Sequence, residues 1–563
     1  MRISVGNKKA YIILILILAG AVRLWNLAHV PPSPSLDEVS IGYNAYSILR
    51  TGRDEYGTLL PLVLRAYDDF RPALYVYTVV PFELFLGVSP LAVRLPSAIF
   101  GVLSVLLTYF LVLELFSHES RITNLPAGRQ VTQNENYSLA LLSALFLAIS
   151  PWHIYLSRLG HEVNLGFTVT IGALYCFFRW ANNPNRSSFL YVSAVLFAVS
   201  LGTYQSQKII IPISALLLAY LYRDTLLRYI RSVGIAAIIG LAVSMPFVSV
   251  SLHPEALVRY RATSAFQPTE PLYADAREHY ILAQQTGNVV GMIVSNRRIV
   301  SLRIFLNNYA SHLQQAWLFS GSARENHKVP FMGLLFWWQA PLILIGLWAL
   351  RLDKYRTPFL FLLLLGVVSI LPGAVTTQAP HAMRTYPFVL PLQVLSSAGL
   401  VFLFRAFRGK RMRILGTCIV CIVVTTGFLQ LIREYFVTFP KTQSDSFQYA
   451  LSEALRYVKI HEDDYQSIVV SNEDDLYQSY MFYLFGSTVD PNVYQGYGGT
   501  VSGGFAETHR IGKYVFRPIR WQTEDQTGDT LYVGNMSDFP PSVITVSVMK
   551  NLDGTDAIRI VGG

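Results

Sequence analysis

Between Ser33 and Pro72 the chain gathers carboxylates in otherwise apolar surroundings. Asp37 and Glu38 are adjacent, Asp54, Glu55, Asp68 and Asp69 follow, and Arg65 and Arg71 sit among them. A carboxylate held at a membrane surface can act as general base on a hydroxyl or amine. A cation beside it can hold a phosphate and stabilise it as it leaves. The same residue types recur as Arg158, His161 and Glu162, among the arginines of 251–330, and as His381 and Arg384. Solvated loops are the simpler account of most charges in 251–330.

The elements that must position these groups are membrane helices. Of 563 residues, 52% are hydrophobic and only 14% charged, against about a quarter charged in soluble domains. The net charge of +10 fits cationic cytoplasmic loops. No phosphate-cradling glycine loop or base-stacking motif accompanies it, so no nucleic acid partner is expected. Cys176, Cys418 and Cys421 lie inside apolar runs and suggest no disulfide framework. Apolar length predicts about eleven spans: 11–27, 94–116, 137–152, 164–181, 188–204, 207–222, 233–250, 331–350, 357–374, 385–404 and 413–432. Arg23 and Trp25 are expected to anchor the first at the interface. The segment 72–87 is apolar but short, and Pro81 and Glu83 interrupt it. Placed at the interface rather than across the membrane, it leaves the loops rich in arginine, such as 405–413, in the cytoplasm. The N-terminus is then cytoplasmic, and loops 28–92 and 251–330 lie outside. The candidate clusters all fall on that outer face, where ionisable residues read as functional.

Ser35-Leu-Asp-Glu38 fits a capping box. Ile41, Ala45, Ile48 and Leu49 continue as one apolar stripe ending at Gly52, which predicts a short helix lying along the membrane surface. At its first turn, backbone N–H groups favour ionised carboxylates. The insert LPAGRQVTQNEN, between the second and third spans, carries no chemistry. Residues 1–435 form the transmembrane domain. Residues 436–563 read as a small soluble α/β domain outside the membrane, with an amphipathic helix over 444–459 and strands at SIVVSN, TLYVGN, SVITVSV and AIRIV. Asp474, Asp475, Tyr477, Tyr480 and Tyr483 could make a sugar-stacking face there, though ordinary packing is the simpler expectation.

One ordered set of residues resembles a known family. Leu36-Asp37-Glu38, Tyr43, Ala45, Gly52, Gly57, Pro61, Arg71-Pro72-Ala-Leu-Tyr75, Arg94-Leu-Pro96-Ser and Gly101 look like the N-terminal signature of the protein O-mannosyltransferase and lipid A aminoarabinose transferase superfamily. Its members are GT-C fold glycosyltransferases. The likeness covers about 33–165 and is looser at His381-Ala-Met-Arg384. It implies Asp37 as catalytic base with Glu38 beside it. Arg71 stands where the family has Lys, and Ala73 where it has a second Pro; the cation is kept. Arg71, Arg158, His381 and Arg384 are thus the expected donor-phosphate ligands. Glu162 resembles the second acidic site of such enzymes, and Asp69 lies one position before an acid of some members. Some relatives bind a divalent metal, for which Asp37, Glu38 and Glu162 would be the ligands here. No obligatory metal is expected.

The expected activity is inverting transfer of a sugar from a polyprenyl-phosphate donor to an extracytoplasmic protein, lipid or glycan. A transporter or flippase of lipid-linked sugars is the alternative outside enzymology, but the charges sit at one face and no two halves match. An oligosaccharide ligase or polymerase using a diphosphate-linked donor is the alternative within it.

Overall fold

The computed structural model of the protein describes residues 5–67, 69–117, 133–253, 262–267, 271–325, 327–351, 355–407, 409–501, 508–526 and 528–563. Asp68, most of the insert before the third span and part of the arginine-bearing 251–330 segment lie outside these residues.

The chain opens with α1 (Val5–Leu24) and α2 (Leu36–Thr51), then a hairpin of β1 (Val63–Ala66) and β2 (Asp69–Pro72). Two further helices follow, α3 (Leu74–Leu86) and α4 (Pro90–Ser117). Among the described residues, five helices are long and apolar enough to cross a membrane: α4, Ile230–Ser251, Arg356–Ala374, Tyr386–Ala406 and Lys410–Thr442. A sixth candidate is the pair Glu135–Ile149 and Pro151–Ser157, bent by 59°. The protein is a multi-pass membrane protein. The count of eleven is not reproduced by these criteria. Spans expected at 188–204, 207–222 and 331–350 are helices of 13, 15 and 12 residues, reaching about 20 Å where hydrocarbon is about 30 Å thick. α3 is equally short, with Pro81 inside it. The 251–330 segment, read from sequence as polar loop, contains helices at Pro271–Gln285, Val289–Val294, Arg297–Ser311 and Gln315–Phe319.

Two compact units share the chain. One comprises Met1–Leu16, Ser104–His153 and Gly166–Gly427; the other comprises Ile17–Leu103, Ile154–Leu165 and Phe428–Gly563. In the first unit, helices Gln339–Leu350 and Val389–Ala406 touch backbone to backbone. A Cβ on Gly346 would stand 2.0 Å from the Leu395 carbonyl oxygen, and one on Gly399 would stand 1.9 Å from that of Leu342. Small residues let membrane helices gain dispersion contact where no hydrophobic driving force acts between them.

The second unit holds the acidic loop and the C-terminal residues together. Its six-stranded sheet runs β4-β5-β3-β6-β8-β7, with β3 at Ser467–Val470, β4 at His509–Ile511, β5 at Tyr514–Phe516, β6 at Thr530–Asn535, β7 at Thr545–Lys550 and β8 at Asp556–Gly562. β3 pairs in parallel with β5 and β6, while the outer pairs are antiparallel. The four strands expected from sequence are all present. The short hairpin β4–β5 was not foreseen, because three-residue strands carry almost no alternation. Val469, Ile519, Trp521, Tyr532, Phe539 and Val561 form one core of this sheet. Tyr449–Ile460 is the amphipathic helix, burying Ala450, Leu451, Ala454, Leu455 and Val458.

α2 departs from expectation. Its capping box is present and its C-cap is Gly52 at φ 71°, as read from sequence. Yet Val39 through Ala45 are all buried, so α2 does not lie on a membrane surface with one face in water. α3 packs against it, and so do the C-terminal helices Ser479–Gly486 and Pro491–Gly496. The contact is close: a Cβ on Gly42 would lie 2.3 Å from the Phe485 ring.

Replacing Gly399 by Val should force apart the helix pair in the first unit. Overpacking of this kind costs about 1–3 kcal/mol, to be read as a lowered melting temperature of the detergent-solubilised protein.

Candidate active site

The second unit sorts the acids of the first loop by what each is bonded to. Glu38 is buried, and both its oxygens are taken. Oε1 accepts from Arg94 Nε at 2.8 Å and from the Gly160 N–H at 2.8 Å; Oε2 accepts from Arg94 Nη2 at 3.1 Å and from the Ser35 N–H at 2.8 Å. Arg94 also donates to the carbonyls of Leu27, Pro31 and Ser33 at 3.1, 2.9 and 2.7 Å. Glu38 is therefore a structural anchor, a correction to its expected place beside the base in catalysis. A charge can be buried this way only when paired and hydrogen-bonded. Asp54 closes a turn, accepting from the Tyr56 and Thr58 N–H groups at 3.0 and 2.8 Å. Glu55 is fully buried and accepts from Asn44 at 3.0 Å, Thr500 at 2.8 Å and Tyr480 at 3.3 Å.

Asp37 has a different setting. Its side chain is 52% exposed, with Oδ1 3.0 Å from Arg71 Nη2. Arg71 Nη1 also donates to the Asp37 carbonyl at 3.4 Å. Burial pulls the Arg71 guanidinium down, but the charges of Asp37 and then Glu162 raise it above its ordinary value, so it remains a cation. The β1–β2 hairpin presents Arg71, pairing it with Leu64. The hairpin's Tyr67 hydroxyl donates to the Leu36 carbonyl at 2.9 Å, docking it at the start of α2.

His161 stands on the other side of Asp37, its Nε2 3.8 Å from Oδ2. Its Nδ1 lies 3.2 Å from the Val163 backbone nitrogen. Glu162 is almost fully buried, with Oε2 3.3 Å from His161 Nδ1. The structure thus brings together Asp37, Arg71, His161 and Glu162. Sequence reasoning noted His161 in its loop without assigning it a part; its position next to Glu162, in a short connection between apolar helices, was the available signal. Asp69 opens β2, accepting from the Phe70 N–H at 2.7 Å.

Arg158 is not presented to a ligand. It is fully buried, and it donates to the Val22, Arg23 and Val30 carbonyls at 2.8, 2.9 and 2.8 Å. Its guanidinium lies 5.3 and 4.8 Å from the Tyr435 and Phe436 ring centroids. Its donors satisfy backbone at the end of α1, which corrects its expected phosphate role. Arg23 is likewise buried, donating to the Ala19 carbonyl at 3.0 Å, rather than anchoring at an interface; Trp25 is exposed.

His381 and Arg384 belong to the first unit. Arg384 Nη1 donates to the Thr377 carbonyl at 2.6 Å. The His381 N–H donates to His312 Nε2 at 3.0 Å, and the His381 ring lies 5.1 Å from that of His327. Among the described residues no group of three or more His, Cys, Asp or Glu side chains is arranged to hold a metal. With Glu38 consumed by Arg94, the trio Asp37, Glu38 and Glu162 does not make a fitting donor set.

No protein-family model matches the chain, and no curated protein matches it either. Among solved structures it is similar to ArnT from Cupriavidus metallidurans in the apo state, with TM-score 0.55 and 11% identity over 98% of each chain. It is similar also to the same protein bound to undecaprenyl phosphate, with TM-score 0.51 and 10% identity over 99% of this chain and 98% of that one. The shared fold is GT-C.

Two outcomes test the division of labour among these acids. Arg94→Ala strands Glu38 as an unpaired buried charge and should cost about 3–5 kcal/mol in thermal unfolding, whereas Asp37→Asn should melt close to wild type. Burial, the largest influence on it, pushes Glu55 up to about 7 from an ordinary 4.5. The fold thus holds the proton more tightly than the unfolded chain does. Its stabilising contribution is full below pH 4.5 and lost as pH rises through about 7, a swing on the order of 3 kcal/mol. Glu55→Gln should remove that slope from stability measured between pH 4.5 and 7.5.

Proposed function

We propose that this GT-C-fold membrane protein is a glycosyltransferase that moves a sugar from a polyprenyl-phosphate donor to an extracytoplasmic acceptor, with Asp37 as general base. The observation that carries this reading is the setting of Asp37. Of the acids described above in the first loop, Glu38, Asp54 and Glu55 are committed to the fold. Asp37 is half-exposed between a permanent cation, Arg71, and His161. The bound undecaprenyl phosphate of the similar ArnT structure supports the donor class.

In this reading the acceptor hydroxyl approaches the Asp37 carboxylate and gives up its proton as its oxygen attacks the anomeric carbon. The bond from that carbon to the phosphate oxygen breaks, and the polyprenyl phosphate leaves with the electron pair. One displacement inverts the anomeric centre. Arg71 holds Asp37 by Oδ1 and lends positive charge to the departing phosphate, with His161 on the other side of Asp37. Glu162 is the proposed second acid, here acting beside His161. The chemistry is assigned to the outer face, with the N-terminus in the cytoplasm and the C-terminal residues outside. The acceptor class is a protein, lipid or glycan.

The test is transfer of labelled sugar from polyprenyl-phosphate donors by the full-length protein in detergent. Asp37→Asn should reduce turnover by about 10²–10⁴-fold, and Arg71→Ala should impair it while Arg71→Lys retains part. Undiminished turnover in Asp37→Asn would remove Asp37 from the base role. Activity only with a diphosphate-linked donor would move the protein to the ligase or polymerase class.

A further inference from the structure

The five residues 474, 475, 477, 480 and 483 do not act alike once folded. Tyr480 and Tyr483 are buried. Tyr480 stacks on His509 with centroids 3.9 Å apart, and Tyr483 lies 4.1 Å from the Tyr514 ring. Those two are packing residues. Tyr477 keeps 37% of its surface exposed, and Asp474 and Asp475 beside it are exposed as well.

The segment carrying Tyr477 is held in one shape. Asp474 and Gln478 have φ of 51° and 60°, a left-handed backbone that costs a non-glycine residue about 1 kcal/mol or more and persists only when its surroundings enforce it. Gln448 Nε2 enforces it, donating to the Asp475 carbonyl at 2.7 Å and to that of Tyr477 at 3.4 Å. Ser479 Oγ adds a bond to the Ser471 carbonyl at 2.8 Å.

That segment leads into the helix Ser479–Gly486, which begins two residues after Tyr477 and packs on α2, whose first turn carries Asp37. Tyr480 bonds Glu55, and Glu55 is bonded to Asn44 of α2. The phenol of Tyr477 is raised by its burial first, then by the charge of Asp37, then by that of Asp475. The two helices pack together within one compact unit, and the charge of Asp37 reaches the Tyr477 phenol.

We propose that Tyr477 is a sugar-contacting residue of the Asp37 site, its half-exposed ring taking the apolar C–H face of a pyranose while Asp475 accepts from the sugar's hydroxyls. The proposal rests on the transferase reading above. A pyranose offers one face of C–H groups and a rim of hydroxyls, which an aromatic ring and a neighbouring carboxylate match. Because the backbone that carries the ring is held before the sugar arrives, less ordering entropy opposes the contact. The C-terminal residues therefore complete the site rather than serving as a separate binding module. The pyranose can belong to the donor or to a glycan acceptor.

Full-length Tyr477→Ala and Tyr477→Phe are compared with wild type and Asp37→Asn, using mannosyl- and glucosyl-phosphoryl-polyprenols as donors. Tyr477→Ala should raise KM for the sugar-bearing substrate about tenfold with a smaller change in kcat, and Tyr477→Phe should recover most of the loss. In parallel, Tyr477→Cys in a Cys418→Ser, Cys421→Ser background is labelled with a membrane-impermeant maleimide. Sugar-loaded donor should slow labelling where sugar-free polyprenyl phosphate does not. Protection by an oligosaccharide acceptor alone would assign the contact to the acceptor sugar. Neither protection nor a KM change, with Asp37→Asn still inactive, would overturn the Tyr477 contact and leave the transferase reading intact. Full turnover in Asp37→Asn would overturn that reading, and the labelling would still decide whether a sugar sits on Tyr477.

Discussion

A buried ion pair, Arg94 with Glu38, is what the acidic loop depends on. Neither group could sit in this interior alone; together, with the Ser35 and Gly160 N–H groups completing the carboxylate, they cancel the burial of charge. The pair draws four stretches of chain to one point: the link after α1, the start of α2, the start of α4 and the turn at Gly160. Successive residues on a helix point roughly 100° apart. Turning Glu38 inward therefore turns Asp37 outward, towards Arg71 and His161. The exposed acid has its place because its neighbour is sacrificed to the fold.

The same economy runs through the second unit. Arg158 and Arg23 spend their donors on carbonyls around the end of α1. Glu55 joins α2 to the C-terminal residues through Asn44, Tyr480 and Thr500. The first loop and the C-terminal residues share these bonds and a helix packing on α2, so they belong to one unit although 400 or so residues of chain separate them. Most of these buried charges are held by several hydrogen bonds, which offsets much of the cost of taking them out of water.

The GT-C fold is reached at about one identical residue in ten. That is the behaviour expected when apolar length and small-residue contacts, rather than particular side chains, decide how membrane helices form and meet. Gly346 and Gly399 illustrate it: the contact they allow is between backbones.

Much of this was legible in the sequence because it depends on local chemistry. The membrane class follows from apolar length, the start and end of α2 from Ser35, Glu38 and Gly52, and four sheet strands from alternation. The choice among the acids was not legible. Asp37 and Glu38 are chemically alike and adjacent, and only the arrival of Arg94 and Gly160, 56 and 122 residues further on, makes one an anchor and leaves the other exposed. Arg158 resembled a ligand for phosphate until three carbonyls claimed it. α2 resembled a surface helix because its second face is covered by residues from the far end of the chain, and no periodicity within α2 records that. Residue type and spacing decided which chemistries the chain could hold. Tertiary structure decided which groups keep an open valence for them, since burial and pairing are set by contacts between segments remote in sequence.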